Sequence, residues 1–300
     1  MTFKDKILGF SLAGISVVVW AATFVATKYL LRDFSALEIQ YFRFLLAYVV
    51  LWGIYPKTDK IENGDEKLFF FLGLTGAALY QMLENCALYY STASNVSIIV
   101  GAAPIMTAIV GRFWLKTKLR PAFWPGLFLA MAGIVLVSTK GNFSLQLHPL
   151  GDLLAVGCMM SWGFYSLVMD RLNEKGYSQF FQIRRSFFWA LVTLLPLFLL
   201  SPVKELHGLF GLSLDFARLL KLNFLLPLLF LGILASAVSF VTWNKASQII
   251  GTVKCAVGIY LCPIITLLLA WATLGETPCL MSLLGTALIL IGVFITSLKG

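Results

Sequence analysis

A carboxylate inside an apolar run is the first place to look for chemistry in this chain. Residues 80–106 read YQMLENCALYYSTASNVSIIVGAAPIM and carry Glu84, Asn85, Asn95 and Pro104 among apolar neighbours. An acid facing lipid costs about 3 kcal/mol or more, so Glu84 is expected to point inward. Two chemistries suit it: binding and releasing a proton, or pairing with an ammonium group. The structural alternative is a hydrogen bond to Asn85, Gln81 or a neighbouring helix. Lys254 is the candidate of opposite sign, able to meet a carboxylate or phosphate, with snorkelling to the membrane surface as its alternative.

No set of groups for covalent or metal chemistry is assembled. The two histidines, His148 and His207, fall in connections. No H-E-x-x-H, G-x-S-x-G or G-x-x-x-x-G-K-[ST] stretch occurs, which argues against an enzyme and against an ATP-driven pump. The cysteines, Cys86, Cys158, Cys255, Cys262 and Cys279, lie in or beside apolar runs without a C-x-x-C pair and read as small hydrophobes. Neither a metal nor a cofactor is expected.

The solvent for these residues is lipid. Of 300 residues 59% are hydrophobic and only 12% charged, with a mean hydropathy of +0.88. A soluble domain of this size could not cover so much apolar surface. The net charge of +9 comes from basic residues placed singly in short loops rather than in a patch, so nucleic acid is not an expected partner. Membrane lipid and a small-molecule substrate are, and the oligomeric state is left open. The first apolar run, Ile7 to Thr27, is too long for a signal-peptide core and is followed by more such runs, so it reads as a membrane helix.

A helix needs about 20 apolar residues to cross the hydrocarbon core. Spans are expected near 7–31, 35–55, 68–90, 93–115, 121–139, 149–170, 179–200, 223–245, 251–274 and 278–297. The fold class is therefore all-α, integral to the membrane, with ten transmembrane helices. The longest connection, 201–222, spaces its Leu and Phe residues like a short amphipathic helix at the interface. With both termini cytoplasmic, the inner ends hold Lys4, Lys6, Lys57, Lys60, Lys67, Arg112, Lys116, Lys118, Arg120, Arg171, Lys175, Lys245 and Lys299. The outer ends hold only Lys28, Arg32, Lys140, Lys204, Arg218 and Lys221. That asymmetry puts both termini inside.

The two halves repeat each other. A shift of 159 residues lays Gly73 on Gly232, Asn85 on Asn244, Pro104 on Pro263, Gly126 on Gly285 and Gly133 on Gly292. Earlier in each half the shift is 142, laying Gly9 on Gly151, Trp20 on Trp162 and Arg43 on Arg185. The difference is roughly the extra length of the 201–222 connection. Residues 1–140 and 149–298 then form five-helix units. Five is odd, so the second unit enters from the opposite side, the inverted repeat that underlies alternating access.

The repeat suggests what lines the centre. Gly73, Gly76, Ala77, Tyr80, Gln81 and Glu84 share a face of the third span, and Ser239, Trp243 and Asn244 lie in its mate. Trp20, Thr23, Trp162, Tyr165 and Tyr260 complete an aromatic and polar wall suited to modestly amphipathic ligands, with packing or interface anchoring as the plainer role of each aromatic. Pro104 and Pro263, near the middle of the fourth and ninth spans, are expected to kink their helices against protein or a wet cavity as paired hinges. Arg43 and Arg185 are expected to hold helix ends or loop carbonyls. One small zwitterion cannot bridge Glu84 and Lys254: about 7 Å outward and about eight residues inward of their span centres, they differ in depth by about 20 Å.

These stretches carry a resemblance. VVVWAATFVATKYLL (17–31), YFRFLLAY (41–48), NVSIIVGAAPIMTAIVGRFWL (95–115) and AFWPGLFLAMAGIVLV (122–137) in the first half, with MMSWGFYSLVMDRL (159–172), IRRSFFWA (183–190) and residues 256–295 in the second, resemble the EamA type of the drug/metabolite transporter superfamily. The likeness covers essentially the whole chain. It implies ten helices in two inverted repeats around a central cavity, and a secondary transporter of small organic metabolites, often amino acids and often outward, in the cytoplasmic membrane. A non-transporting membrane scaffold or sensor is the alternative. The chain departs from the family at one place: the Leu-x-Glu element closing the ninth helix is present as Leu274-Gly-Glu276, but Thr117 stands at the equivalent of Glu276 in the first half. Helix capping or loop docking is the expected role of Glu276.

Overall fold

The computed structural model describes residues 3–62, 64–114, 121, 123–139, 149–201, 209–212, 216–251, 255, 258, 259 and 261–297. Regular structure among them is helical throughout. In the first half, α1 (Phe3–Leu30) leads to α2 (Ala36–Ile54). The start of α2 is spelled out locally: Ser35 Oγ accepts from Glu38 N at 3.1 Å and Glu38 Oε2 accepts from Ser35 N at 3.0 Å. This reciprocal pair satisfies two donors that the first turn leaves open. Next comes α3 (Glu66–Gly73), a π-helical stretch at Leu74–Leu79, and α4 (Tyr80–Tyr90). The half closes with α5 (Ala93–Val100), α6 (Ala103–Trp114) and α7 (Phe123–Thr139).

The second half consists of α8 (Pro149–Glu174), α9 (Gln179–Leu200), a single turn α10 (Phe216–Leu219), α11 (Leu222–Leu229), a second π-helical stretch at Phe230–Val238, and α12 (Ser239–Ile250). It ends with α13 (Cys262–Leu274) and α14 (Leu280–Ser297). The interfacial helix expected in 201–222 is thus represented by one turn among the described residues.

Among the described residues six segments are long and apolar enough to cross a membrane: Phe3–Leu30, Ala36–Ile54, Ala93–Trp114, Pro149–Glu174, Gln179–Leu200 and Leu222–Ile250. Phe123–Val137, Cys262–Leu274 and Leu280–Gly292 are shorter apolar helices. The outer surface is the reverse of a soluble protein's, with Phe113, Phe128, Leu153 and Trp271 all more than half exposed. Such side chains suit lipid, while the backbone groups beside them are satisfied within helices.

Two local features differ from the sequence expectation. Pro104 and Pro263 do not kink continuous helices. Pro104 follows a break at Gly101–Ala102 and sits in the first turn of α6, and Pro263 sits in the first turn of α13. A first-turn proline lacks only an N–H that would be unpaired there anyway, so starting a new helix costs less than bending an old one. The break and the start of α13 meet: a Cβ on Gly101 would lie 2.7 Å from Pro263 Cγ. The π-helical stretches were not foreseen. Their extra residue frees carbonyls, and side chains from other helices supply donors. Gln40 Nε2 donates to Ala77 O (3.1 Å) and Ala78 O (2.7 Å), Ser161 Oγ to Thr75 O (2.7 Å), and Trp20 Nε1 to Ala235 O (3.1 Å). In a dry interior each unpaired carbonyl would cost a few kcal/mol.

Contacts between the halves come in pairs. Gly9 on α1 packs against Ile249 and Ile250 at the end of α12, and Gly151 on α8 against Tyr90 and Ser91 at the end of α4. Ser16 Oγ donates to Ser239 O (3.1 Å), and Cys158 Sγ to Tyr80 O (3.5 Å). Between α7 and α14, a Cβ on Gly133 would lie 2.6 Å from Gly285 O, and one on Gly292 would lie 2.5 Å from Gly126 O. Glycine is needed there because the backbones themselves touch. Polar ties join the connection 55–66 to residues 174–178. Tyr177 donates its hydroxyl proton to Asp65 Oδ2 (2.8 Å) and accepts from Glu62 N (3.0 Å), and Lys175 Nζ lies 2.9 Å from Asp65 Oδ1. The bonds from Lys175 and Tyr177 hold the Asp65 carboxyl below the usual carboxylate range. Arg184 donates to the carbonyls of Tyr55 and Lys57, and Arg185, expected to hold a helix end or a loop carbonyl, pairs with the Glu66 carboxylate in the first turn of α3 at 2.7 Å.

Candidate functional site

The polar face of α4 is built by helical spacing. Tyr80, Gln81 and Glu84 fall on one side, as do Val17, Trp20, Thr23 and Phe24 on α1. These two faces, with Arg43 of α2, Ser97 and Val100 of α5, Gly101 and Ala103 at the helix break, Trp162 of α8, Phe240 of α12, Ile259 and Cys262, enclose a cavity of about 50 Å³. That volume admits a few waters. Pockets for metabolite-sized ligands measure about 300–1,000 Å³. The cavity is therefore too small for a metabolite-sized ligand in this conformation.

Its walls are aromatic. The ring centroids of Trp20 lie 5.7 Å from Trp162, 5.5 Å from Phe240 and 5.1 Å from Trp243, and Tyr80 lies 5.2 Å from Trp162. Because the Trp20 indole N–H is engaged by Ala235 O, its ring remains to pack and to face the cavity. Thr23 donates to Trp20 O at 2.6 Å within its own helix.

Two opposite charges share this lining. Glu84 is 2% exposed, shares its face of α4 with Tyr80 and Gln81, and leaves Oε1 without a partner. Arg43 is 3% exposed, and its Nε donates to Ser236 Oγ at 2.6 Å. Ser236 in turn donates to Leu231 O at 2.8 Å, so the π-helical stretch of the second half orients an arginine of the first. Arg43 was expected to hold a helix end or a loop carbonyl. It instead lines the cavity, with its Nε held by Ser236 of the π-helical stretch. The two charges feel each other without forming an ion pair within 4 Å.

Of the residues expected in the pathway, Trp20, Thr23, Tyr80, Gln81, Glu84 and Trp162 line the cavity. The others described stand behind its wall. Asn85 Nδ2 donates to Ala36 O (3.0 Å), tying α4 to the start of α2. Asn95 is buried in the first turn of α5, where its N–H is capped by Thr92 Oγ1 (3.1 Å). Tyr165 donates to Asn244 Oδ1 at 3.5 Å, Ser239 donates to Leu234 O (2.8 Å), and Trp243 packs on Trp20. Lys254 and Tyr260 lie outside the described residues. Sequence reasoning missed Phe24, Ser97, Phe240 and Cys262, which carry no polar or repeat signal strong enough to single them out. Glu276 docks as expected: Oε1 accepts from Ala93 N (3.0 Å), and Oε2 from Ser94 N (3.0 Å) and Ser94 Oγ (2.7 Å), so it caps α5 from across the molecule.

Apolar helices with lipid-facing side chains around a small, aromatic-walled centre that carries two charges define a multi-pass membrane protein. The model of the EamA-like transporter family matches residues 7–139 and again 149–298, and the chain belongs to that family, the EamA type of the drug/metabolite transporters. Members of it are transporters rather than enzymes. The chain is 28% identical over 295 residues to an uncharacterized transporter of Archaeoglobus fulgidus, covering 96% of both chains. It is 25% identical to a probable terminal-alkyne amino-acid exporter of Streptantibioticus cattleyicolor, covering 94% of this chain and 90% of that one. One solved crystal structure superposes with a TM-score of 0.65 over 98% of each chain at 19% identity, which shows the shared fold.

Proposed function

We propose that this protein is a secondary transporter that moves small organic metabolites, amino acids or related solutes, outward across the cytoplasmic membrane by alternating access. Its ten spans form two inverted five-helix units, residues 1–140 and 149–298, joined by the 201–222 connection, with both termini cytoplasmic.

The observation that carries the reading is the reciprocity of contacts between the halves. Shifted by 142, Gly9 becomes Gly151; shifted by 159, Tyr90 and Ser91 become Ile249 and Ile250. The Gly9 and Gly151 contacts thus exchange under one operation. The bonds from Ser16 to Ser239 O and from Cys158 to Tyr80 O exchange likewise, as do the glycine contacts of α7 and α14. Such self-complementary exchange is what a two-fold axis between inverted units requires. An amino-acid-like cargo is supported by the likeness to the Streptantibioticus relative, a probable terminal-alkyne amino-acid exporter, and by a cavity that mixes charge with aromatic surface. With about 50 Å³ available, the cavity has to widen before it admits such a solute, and alternating access supplies that widening from one side at a time.

Purified protein in liposomes, screened with labelled amino acids and nucleosides with and without a pH gradient, tests this. Flux above empty vesicles for one class of solute, reduced in Glu84→Gln, is the expected result. No solute crossing faster than in empty vesicles would turn the reading toward a membrane scaffold or sensor.

A further inference from the structure

The charge count of the cavity lining is unusual for so dry a place. Among the described lining residues the charged side chains are Arg43 and Glu84, one of each sign. Both are buried and not paired with each other. Bringing an ion out of water costs several kcal/mol unless a partner compensates it. The simplest compensation, a direct ion pair, is not taken: Arg43 is turned to Ser236, and Glu84 keeps Oε1 unpartnered in a wall that Trp20, Trp162 and Phe240 dominate.

We infer that Arg43 and Glu84 are the two poles of one recognition site for a zwitterionic amino acid, the guanidinium taking the carboxylate and Glu84 Oε1 taking the ammonium. This rests on the transporter reading above and names the form of its cargo. A guanidinium offers a planar fork matched to a carboxylate. An ammonium has three donors for a carboxylate oxygen that lacks one. The sum of site charges is zero, so a ligand of zero net charge and two poles leaves neither residue uncompensated. An amine without a carboxylate would strand Arg43, and a carboxylic acid without an amine would strand Glu84, which is selection by penalty as much as by attraction. The aromatic wall receives an apolar or aromatic side chain. The pairing also differs from the one that span depths exclude: Arg43 and Glu84 line the same cavity, whereas Lys254 was expected about 20 Å away in depth.

The test uses the full chain in detergent and three ligands of one skeleton: L-phenylalanine, 2-phenylethylamine and 3-phenylpropanoate. Each competes against labelled L-phenylalanine for binding, and flux is measured in parallel in liposomes. L-Phenylalanine is expected to bind about thirtyfold or more tightly than either single-charge analogue, the scale set by leaving one buried charge unpaired. Arg43→Gln is expected to weaken phenylalanine by a similar factor while sparing 2-phenylethylamine. Glu84→Gln should weaken phenylalanine while sparing 3-phenylpropanoate. A merely structural role would lower all three ligands together. Arg43→Lys keeps the charge should Arg43→Gln fail to fold, and the three-ligand comparison on the unmodified protein decides the matter by itself. The inference is overturned if an analogue binds as well as phenylalanine, if none of the three binds, or if both variants weaken every ligand alike. Flux of some other solute together with no phenylalanine binding would sink this inference and leave the transporter reading standing. Binding with the expected charge pattern but no flux would do the opposite.

Discussion

Glu276→Gln removes half of a clamp that joins the end of α13 to the start of α5. The carboxylate serves three donors: Ala93 N at 3.0 Å, Ser94 N at 3.0 Å and Ser94 Oγ at 2.7 Å. A glutamine has one carbonyl oxygen in place of two carboxylate oxygens, so at least one first-turn N–H loses its acceptor, at about 1–3 kcal/mol. Removing the negative charge from a helix N-terminus adds about 0.3–1 kcal/mol. Thr92 still caps Asn95 N, so α5 remains a helix and the loss is confined to the clamp. The expected destabilisation is therefore about 1–4 kcal/mol. Lys28, which holds Leu88 O (2.5 Å) and Ser91 O (2.7 Å) in the adjoining turn and feels the Glu276 charge, keeps its carbonyl partners. Reversible unfolding in mixed micelles measures the single variant, and Ser94→Ala completes a double-mutant cycle. Because Ser94 Oγ and Glu276 share a bond, the two changes should couple by about 1 kcal/mol. Strict additivity, or a Glu276→Gln protein as stable as the parent, would refute the reasoning.

Other perturbations discriminate between packing, backbone satisfaction and charge. Gly133→Val should destabilise by about 1–3 kcal/mol or prevent assembly of α7 on α14, since a Cβ there meets Gly285 O at 2.6 Å. Gly14→Ala, with nothing within 4 Å of its Cβ, should be neutral or stabilising in the same unfolding assay. Trp20→Phe keeps a ring in the cavity wall but leaves Ala235 O without its donor, and should cost about 1–3 kcal/mol in thermal unfolding. Asp65, held below the usual carboxylate range by Lys175 and Tyr177, contributes stability that is present above the unfolded value, roughly pH 4, and is lost as pH falls through its depressed value. Unfolding followed against pH should show that component in the parent protein and lack it in Asp65→Asn.

How much of this molecule can be read from the chain itself depends on the range over which each cause acts. Composition alone sets the solvent, because 59% hydrophobic residues with 12% charged have no soluble arrangement. Hydropathy marks the helices, and spacing puts Tyr80, Gln81 and Glu84 on one face. The inward placement of Glu84 follows from the cost of exposing a charge to lipid, and the Ser35-x-x-Glu38 box is a local signature legible in the letters. Other features depend on what lies across the molecule. The prolines begin helices rather than bend them, which depends on how Gly101 and Pro263 meet. The π-helical stretches exist because Gln40, Ser161 and Trp20 arrive from other helices to satisfy the freed carbonyls. Arg43 reads as an anchor in sequence and becomes a cavity residue only when Ser236, 193 positions away, receives its guanidinium. Patterns of hydropathy and spacing act along a helix and are written in the chain. Partners for buried polar groups are chosen across the bilayer's dry interior, where only tertiary packing decides which donor reaches which acceptor.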